Sequence, residues 1–206
     1  MLLRTSLFDQ IYEFKSVKEV LAKANEEKSG DRLAGVAAET VTERIAAKEV
    51  LSRLTLETIY DNPIVPYDED EVTRVIYDDL NLTIYQGIKQ WTVGYFREWL
   101  LDEHTSGAMI KHISRGLTSE MVAAVTKLMS NLDLVYCAKK IRVSAHCNTT
   151  IGEEGVLGIR LQPNHTTDNL DGIMVSLMEG LTYGVGDAVI GLNPVNDTVR
   201  SEEHTS

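Results

Sequence analysis

The stretch Val156-Leu157-Gly158-Ile159-Arg160-Leu161-Gln162-Pro163 and its later counterpart Ala188-Val189-Ile190-Gly191-Leu192-Asn193-Pro194 decide how this chain is read. Each is a short aliphatic run ended by proline, which has no N–H to continue a strand ladder. Between them Leu170, Ile173, Leu177 and Leu181 recur at helical spacing along one side of a segment running from about residue 168 to 182. Thr166 or Thr167 is the expected cap, and Asp168 and Asp171 sit near the positive end of that helix, where negative charge is favoured. Gly184 and Gly186 break it. Strand, helix, strand predicts a βαβ unit with parallel strands and a right-handed crossover.

Side chains alternate along a strand, so Gly158, Arg160 and Gln162 share one face of the first run, and Leu157, Ile159 and Leu161 the other. In the second run Val189, Gly191 and Asn193 share a face. Each strand thus places a polar group beyond a glycine at its C-terminal end, and the missing side chain is expected to leave room for something other than protein. Neighbouring strands lie about 4.8 Å apart, so Arg160, Gln162 and Asn193 can converge on one small ligand. Arg is permanently charged and the two amides exchange no protons, so the trio can orient and polarise but cannot act as a general base. The alternative reading has Arg160 satisfying a buried carboxylate and the two amides capping loops.

Upstream, the chain reads as helices. Ser16 with Glu19 predicts a helix to about Lys28, ended by Ser29-Gly30-Asp31. Thr40 with Glu43 precedes Ile45, Ala46, Val50 and Leu51, whose spacing suits one buried face. Thr55 opens a short helix stopped by Asn62-Pro63. Asp68 and Glu71 start another with Val72, Val75, Ile76 and Leu80 on its apolar side. A further helix runs over about 92–101, and Thr118-Ser119-Glu120 begins the last of this region, carrying Val122, Val125, Leu128 and Met129. These stripes, and the aromatic set Tyr95, Phe96 and Trp99, are read as core or subunit contacts rather than as a cofactor box.

Composition limits the function classes. The chain has 206 residues, 43% of them hydrophobic, and a formal net charge of -11. That balance opposes binding to phosphate backbones. Lys139, Lys140 and Arg142 form a basic cluster best read as a loop or helix end, and a helix-turn-helix over 83–101 is disfavoured on the same grounds. No apolar run is long enough to span a membrane, and charges interrupt the first fifteen residues, so no export signal is read. Without a secretory context, Cys137 and Cys147 are expected as thiols and the Asn-x-Ser/Thr triplets at Asn81, Asn148, Asn164 and Asn196 as chance. His146 beside Cys147 lacks the further ligands of a zinc site, and His104, His112 and His165 are read as isolated surface residues.

The strand motifs also carry a family resemblance. Arg160-Leu161-Gln162-Pro163-Asn164 and the segment from Gly184-Val185-Gly186-Asp187 through Asn193-Pro194-Val195 resemble the large subunit of ethanolamine ammonia-lyase. The likeness extends through Phe14-Lys15-Ser16-Val17-Lys18-Glu19, Leu33-Ala34-Gly35-Val36-Ala37-Ala38, Gly116-Leu117-Thr118-Ser119-Glu120 and Asn148-Thr149-Thr150-Ile151-Gly152, from about residue 7 to 199. It implies an α/β fold: a helical N-terminal region, residues 1–147, followed by the first βαβ unit of a truncated (β/α)8 TIM barrel, residues 148–199. It also implies adenosylcobalamin at the barrel mouth and the radical conversion of ethanolamine to acetaldehyde and ammonia, with hydrogen abstracted by a 5′-deoxyadenosyl radical. By the same resemblance Arg160 and Asn193 hold the substrate hydroxyl, Gln162 contacts the amino group and Pro194 lies against the cobalamin.

Partners implied are ethanolamine, a small subunit and further large subunits in a hetero-oligomer, in the cytoplasm or a bacterial microcompartment. Family members are roughly twice this length and supply carboxylates for the substrate ammonium from later strands, so this chain alone is expected to be inactive. Residues 200–206 depart from the family pattern and read as a translated sequencing adapter. A non-catalytic helical interaction or assembly domain is the alternative function.

Overall fold

A computed structural model describes residues 3–146, 150–193 and 195. The chain divides into two compact units between Ile141 and Arg142.

Unit 1 opens with an antiparallel hairpin, β1 (Arg4–Leu7) and β2 (Gln10–Glu13), paired Arg4 to Glu13 and Leu7 to Gln10. Its two-residue turn, Phe8-Asp9, has φ of 51° and 63°. Two positive φ values are what a type I′ turn requires, and they match the twist of the flanking strands. This hairpin lies where only helices were expected. Thr5 is buried and donates its hydroxyl to Glu49 Oε2 at 2.9 Å, tying the hairpin to the helix that carries Glu49.

Ten helices follow among the described residues of this unit: α1 (Val17–Lys23), α2 (Ser29–Leu33), α3 (Val41–Arg53), α4 (Leu56–Tyr60), α5 (Glu71–Asp78), α6 (Leu82–Ile88), α7 (Val93–Leu101), α8 (Gly107–Ser114), α9 (Ser119–Lys127) and α10 (Asn131–Lys140). Ser16, Thr40, Thr55, Thr92 and Thr118, where helices were expected to begin, are caps that each accept a backbone N–H three residues on. Other boundaries differ. The first helix stops at Lys23, because Asn25 turns out to bond Asp31 Oδ2 at 3.0 Å, and Ser29-Gly30-Asp31 opens α2 instead of ending α1. Asp70, not Asp68, caps α5. Helices α6, α8 and α10 are additional; α10 starts with a reciprocal capping box between Ser130 and Asp133. Lys139 and Lys140 end α10, as a helix-end reading requires, and the Lys140 ammonium bonds the carbonyls of Leu100 and Asp102.

The core sits among α1, α3, α4, α7 and α9. Val20, Ala46, Ala47, Leu51, Leu56, Ile59, Val93, Met121 and Ala124 are wholly buried. Helices α3 and α7 approach closely at Gly94, where an added Cβ would lie 2.9 Å from the Ser52 carbonyl oxygen. Ile45 faces outward, and Ala47 takes its place on the buried side of α3. On α5, Val72 and Val75 are exposed, while Thr73 and the following Leu80 are buried. That helix is rotated by Tyr77, whose hydroxyl donates to the Tyr60 carbonyl at 2.7 Å and whose ring lies 4.8 Å from that of Tyr60.

Unit 2 contains an antiparallel pair, β3 (Ala145–His146) with β4 (Thr150–Ile151), then β5 (Ile159–Leu161), α11 (Leu170–Thr182) and β6 (Ala188–Ile190). Strands β5 and β6 are parallel, with Arg160 opposite Val189 and Leu161 opposite Ile190. The strand-helix-strand order is as expected, though the ladder is shorter than the apolar runs. Asn169 caps α11 in place of Thr166 or Thr167, because Asp168 just before it adopts a left-handed conformation, φ 51°, that redirects the chain. Among the described residues of this unit only Pro163 is buried.

A unit without a buried apolar interior has little to hold its amides closed. In the isolated chain, hydrogen exchange is expected to be fast in β5 and β6 and slow in α3, α7 and α9. Leu51→Ala, which opens a cavity in the first unit, is expected to cost that unit about 2–5 kcal/mol in denaturant unfolding.

Candidate functional site

Parallel pairing puts opposed residues on the same side of the sheet, so Arg160 and Val189 belong to one face of the β5–β6 pair. The other face is where α11 packs: a Cβ on Gly180 of that helix would lie 3.1 Å from Leu161 Cδ2. The helix therefore covers the Leu161 side and leaves the Arg160 side open, with Arg160, Gln162, Val189 and Asn193 all exposed.

Arg160 does not project freely from this open face. Its guanidinium lies across Gly191 on the neighbouring strand, so that a Cβ there would sit 2.5 Å from Nη2 and 2.7 Å from Nε. The space that glycine was expected to leave for a ligand is therefore taken by the guanidinium itself. Over Gly158 the corresponding space is met by Ile151, whose Cγ2 would be 3.2 Å from an added Cβ. Both glycines are thus approached closely by protein side chains. Among the described residues no carboxylate pairs with Arg160. Likewise no protein hydrogen bond is made by the side chains of Gln162 or Asn193 among those residues. Gln162 directly follows β5, and Asn193 lies three residues past the end of β6; both are exposed, as is Arg160. Pro194 lies outside the described residues.

Two residues that sequence reasoning had not placed at the site organise its rim. Asn164 Oδ1 accepts the backbone N–H of Asn193 at 3.2 Å. Asp168 accepts the N–H of Val195 at both carboxylate oxygens, 2.9 and 3.1 Å. Short polar side chains just past a strand-ending proline are a signal for such loop bonds. His165 is not isolated as expected: it is partly buried, its Nδ1 meets the Thr167 backbone N–H at 3.3 Å, and its ring stands against Gly172. His104 and His112 are exposed, as expected, but His104 is not isolated: its Nδ1 lies 3.1 Å from Asp102 Oδ1.

Elsewhere, a groove of about 480 Å³ in unit 1 is lined by Leu21, Ala22, Val36, Ile64 and Ala123, with lysines and glutamates at its rim. There the Lys127 ammonium is held below the ordinary lysine range by burial, opposed by the charge of Asp31. Lys23, on the same rim, bonds Glu43 at 2.5 Å, and that bond raises its own pKa. These are paired charges around an apolar floor, with no nucleophile beside a base. Cys137 is a buried free thiol, 3.7 Å from the Leu100 carbonyl oxygen, and burial pushes its pKa up. Cys147 lies outside the described residues. Among those described, no three His, Cys, Asp or Glu side chains are grouped to hold a metal ion. No described helix is long and apolar enough to cross a membrane.

Fold and site together define a mixed α/β protein: a helical unit followed by a parallel βαβ module that presents a fixed cation and two neutral amides at its strand ends. The family profile for the ethanolamine ammonia lyase large subunit (EutB) matches residues 12–205, and so runs into the 200–206 segment, which lies outside the described residues. The ethanolamine ammonia-lyase large subunit of Escherichia coli (strain K12) is 54% identical over 201 residues, covering 98% of this chain and 44% of that protein. That of Salmonella typhimurium (strain LT2) is 53% identical over the same span. The chain belongs to the ethanolamine ammonia-lyase large-subunit family and spans less than half the length of these relatives.

Because the guanidinium is the far end of a flexible side chain, Gly191→Ala is expected to displace it at little cost, about 1 kcal/mol or less in unfolding experiments. A crystal structure of the variant is expected to show Arg160 lifted off the neighbouring strand. An unmoved guanidinium would contradict this packing.

Proposed function

We propose that this chain forms the front portion of an adenosylcobalamin-dependent lyase that converts ethanolamine to acetaldehyde and ammonia, and that it contributes the substrate's hydroxyl anchor. The observation that carries the reading is the open β5–β6 face, where Arg160 rests on Gly191 with no protein counter-ion among the described residues. Side chains that a fold uses structurally are normally satisfied within it. Here the polar groups are offered outward on the side that the packed helix leaves clear. In a (β/α)8 barrel that side is the interior, and the strand C-termini are where ligands bind. On this reading residues 148–199 begin such a barrel and residues 1–147 form the helical region ahead of it.

The roles follow from the chemistry of the groups. Arg160 donates to the substrate hydroxyl oxygen, Asn193 accepts the hydroxyl proton through its amide oxygen, and Gln162 accepts from the amino group. None of the three takes up or releases a proton at neutral pH, so the substrate is held without being deprotonated at a competing position. A fixed cation and two amides also keep their orientation when water is excluded, which a radical reaction needs. The cobalamin supplies the hydrogen-abstracting radical when bound; Pro194 is the residue of this chain that would lie against it. The substrate ammonium calls for carboxylates, which this face does not carry among its described residues; in the family they come from later strands. On this reading the edges of the two-stranded pair are covered by further strands of the barrel. The complete protein works with a small subunit in an assembly containing several large subunits.

In a full-length large subunit reconstituted with its small subunit, Arg160→Ala is expected to lower kcat/KM for ethanolamine by roughly 100-fold, the loss of a charged hydrogen bond worth about 3 kcal/mol. Its melting temperature is expected to stay near that of the parent. Wild-type turnover in this variant would assign Arg160 a packing role, whereas no turnover by the unmutated complex would favour a non-catalytic assembly domain.

A further inference from the structure

The last hydrogen bond between the paired strands runs from the Gly191 N–H to the Leu161 carbonyl at 2.9 Å. Beyond it the chain carrying Asn193 leaves the ladder, and Pro194 contributes no N–H of its own. The backbone donors nearest that proline are Asn193 and Val195, and each is bonded by a side chain from the loop that follows β5. Asn164 Oδ1 takes the first at 3.2 Å, and the Asp168 carboxylate takes the second with both oxygens at 2.9 and 3.1 Å.

Both acceptors are themselves anchored. Asn164 follows buried Pro163, and its own N–H bonds the Gln162 carbonyl at 2.9 Å, so its side chain is tied to the end of β5. Asp168 donates its N–H to the His165 carbonyl at 3.2 Å and sits at φ 51°, directly before the cap of α11. Aspartate tolerates the left-handed region better than most residues. The β5 exit thus holds the β6 exit on either side of residue 194, across the same edge where Arg160 reaches over Gly191.

We propose that Asn164 and Asp168 are positioning residues that fix the backbone at Asn193 and Val195 beside Arg160, so that substrate is met by a preformed set of donors and acceptors. This rests on the anchoring roles assigned to Arg160, Gln162 and Asn193. Neither residue touches substrate; each acts through a backbone N–H. Misplacement of a binding group by about 1 Å is enough to cost roughly 100-fold in rate.

The test uses the full-length large subunit with its small subunit. Asn164→Ala is expected to lower kcat/KM for ethanolamine by about 10- to 100-fold and to weaken equilibrium binding of ethanolamine to the cofactor-free complex, with melting nearly unchanged. Asn164→Asp, which keeps an acceptor oxygen in place, is expected to restore most of both. In an Asn193→Ala background, Asn164→Ala is expected to add little, because the side chain it positions is already gone. Should Asn164→Ala prove unstable, Asp168→Asn, which tolerates the same backbone conformation, is expected to give the same pattern at smaller amplitude. Unaltered binding and turnover in the folded variants, no rescue by Asn164→Asp, or a full additive loss in the Asn193→Ala background would each overturn the proposal. Arg160→Ala, assayed alongside, separates the two ideas. If it is crippled while Asn164→Ala is neutral, only the positioning role fails; if both are neutral, the anchoring reading fails with it.

Discussion

Short helices need their first turns satisfied from outside, and the helical unit is organised around that constraint. A helix of seven or eight residues leaves about half of its backbone N–H groups without an intrahelical acceptor, and such helices are not stable alone in water. Ten of the eleven described helices begin on a Ser, Thr, Asp or Asn whose side chain accepts the N–H three residues later; α2, begun at Lys28, is the exception and buries nothing. Several caps also hold the fold together. Thr118 is wholly buried, so its hydroxyl serves α9 from inside the core. Thr55 and Thr92, the caps of α4 and α7, bridge each other, and the flanking Leu56 and Val93 N–H groups bond across to Trp91 and Leu54 at 2.9 and 2.8 Å. Capping and packing are here one interaction.

That dependence explains what could be read from the chain and what could not. Caps followed three residues on by glutamate, as at Ser16 and Thr40, announce their helices. Asn81, Ser106 and Ser130 have no glutamate three residues on, and α6, α8 and α10 were not foreseen; Thr55, Thr92 and Thr118 lack it too, and there the apolar and aromatic spacing or a following proline gave the helix away. The hairpin escaped notice because Phe8-Asp9 replaces the Asn-Gly or Asp-Gly that normally marks a type I′ turn. On α3 and α5 the apolar spacing was real, but which side faces inward depends on neighbours such as Tyr60 that no local pattern encodes. For the site, alternation along the strands set Arg160 on the face opposite Leu161, the residue that meets α11. It could not say that the guanidinium would lie on Gly191, which needs the register and the rotamer. Nor could it find Asn164 and Asp168, whose partners lie 29 and 27 residues away.

The two units differ in how they are built. The first closes a core of its own; the second gathers its polar groups on a strand pair with a helix on one side only and no interior beyond Pro163. In the proposed enzyme this asymmetry is functional. Groups that must face a substrate cannot also be buried against their own chain, so the second unit depends on further strands both for stability and for the carboxylates that match an ammonium ion.

The position of Arg160 has a consequence for how relatives of this chain are compared. A glycine at 191 looks like a spacer when each position is scored by itself, yet it is the seat on which the neighbouring strand's cation rests. Substitution at 191 is therefore not silent with respect to 160, and the two positions are expected to vary as one. A homologue that keeps the arginine but carries any bulkier residue at the seat has a differently shaped pocket, and its substrate cannot be assigned from the arginine alone.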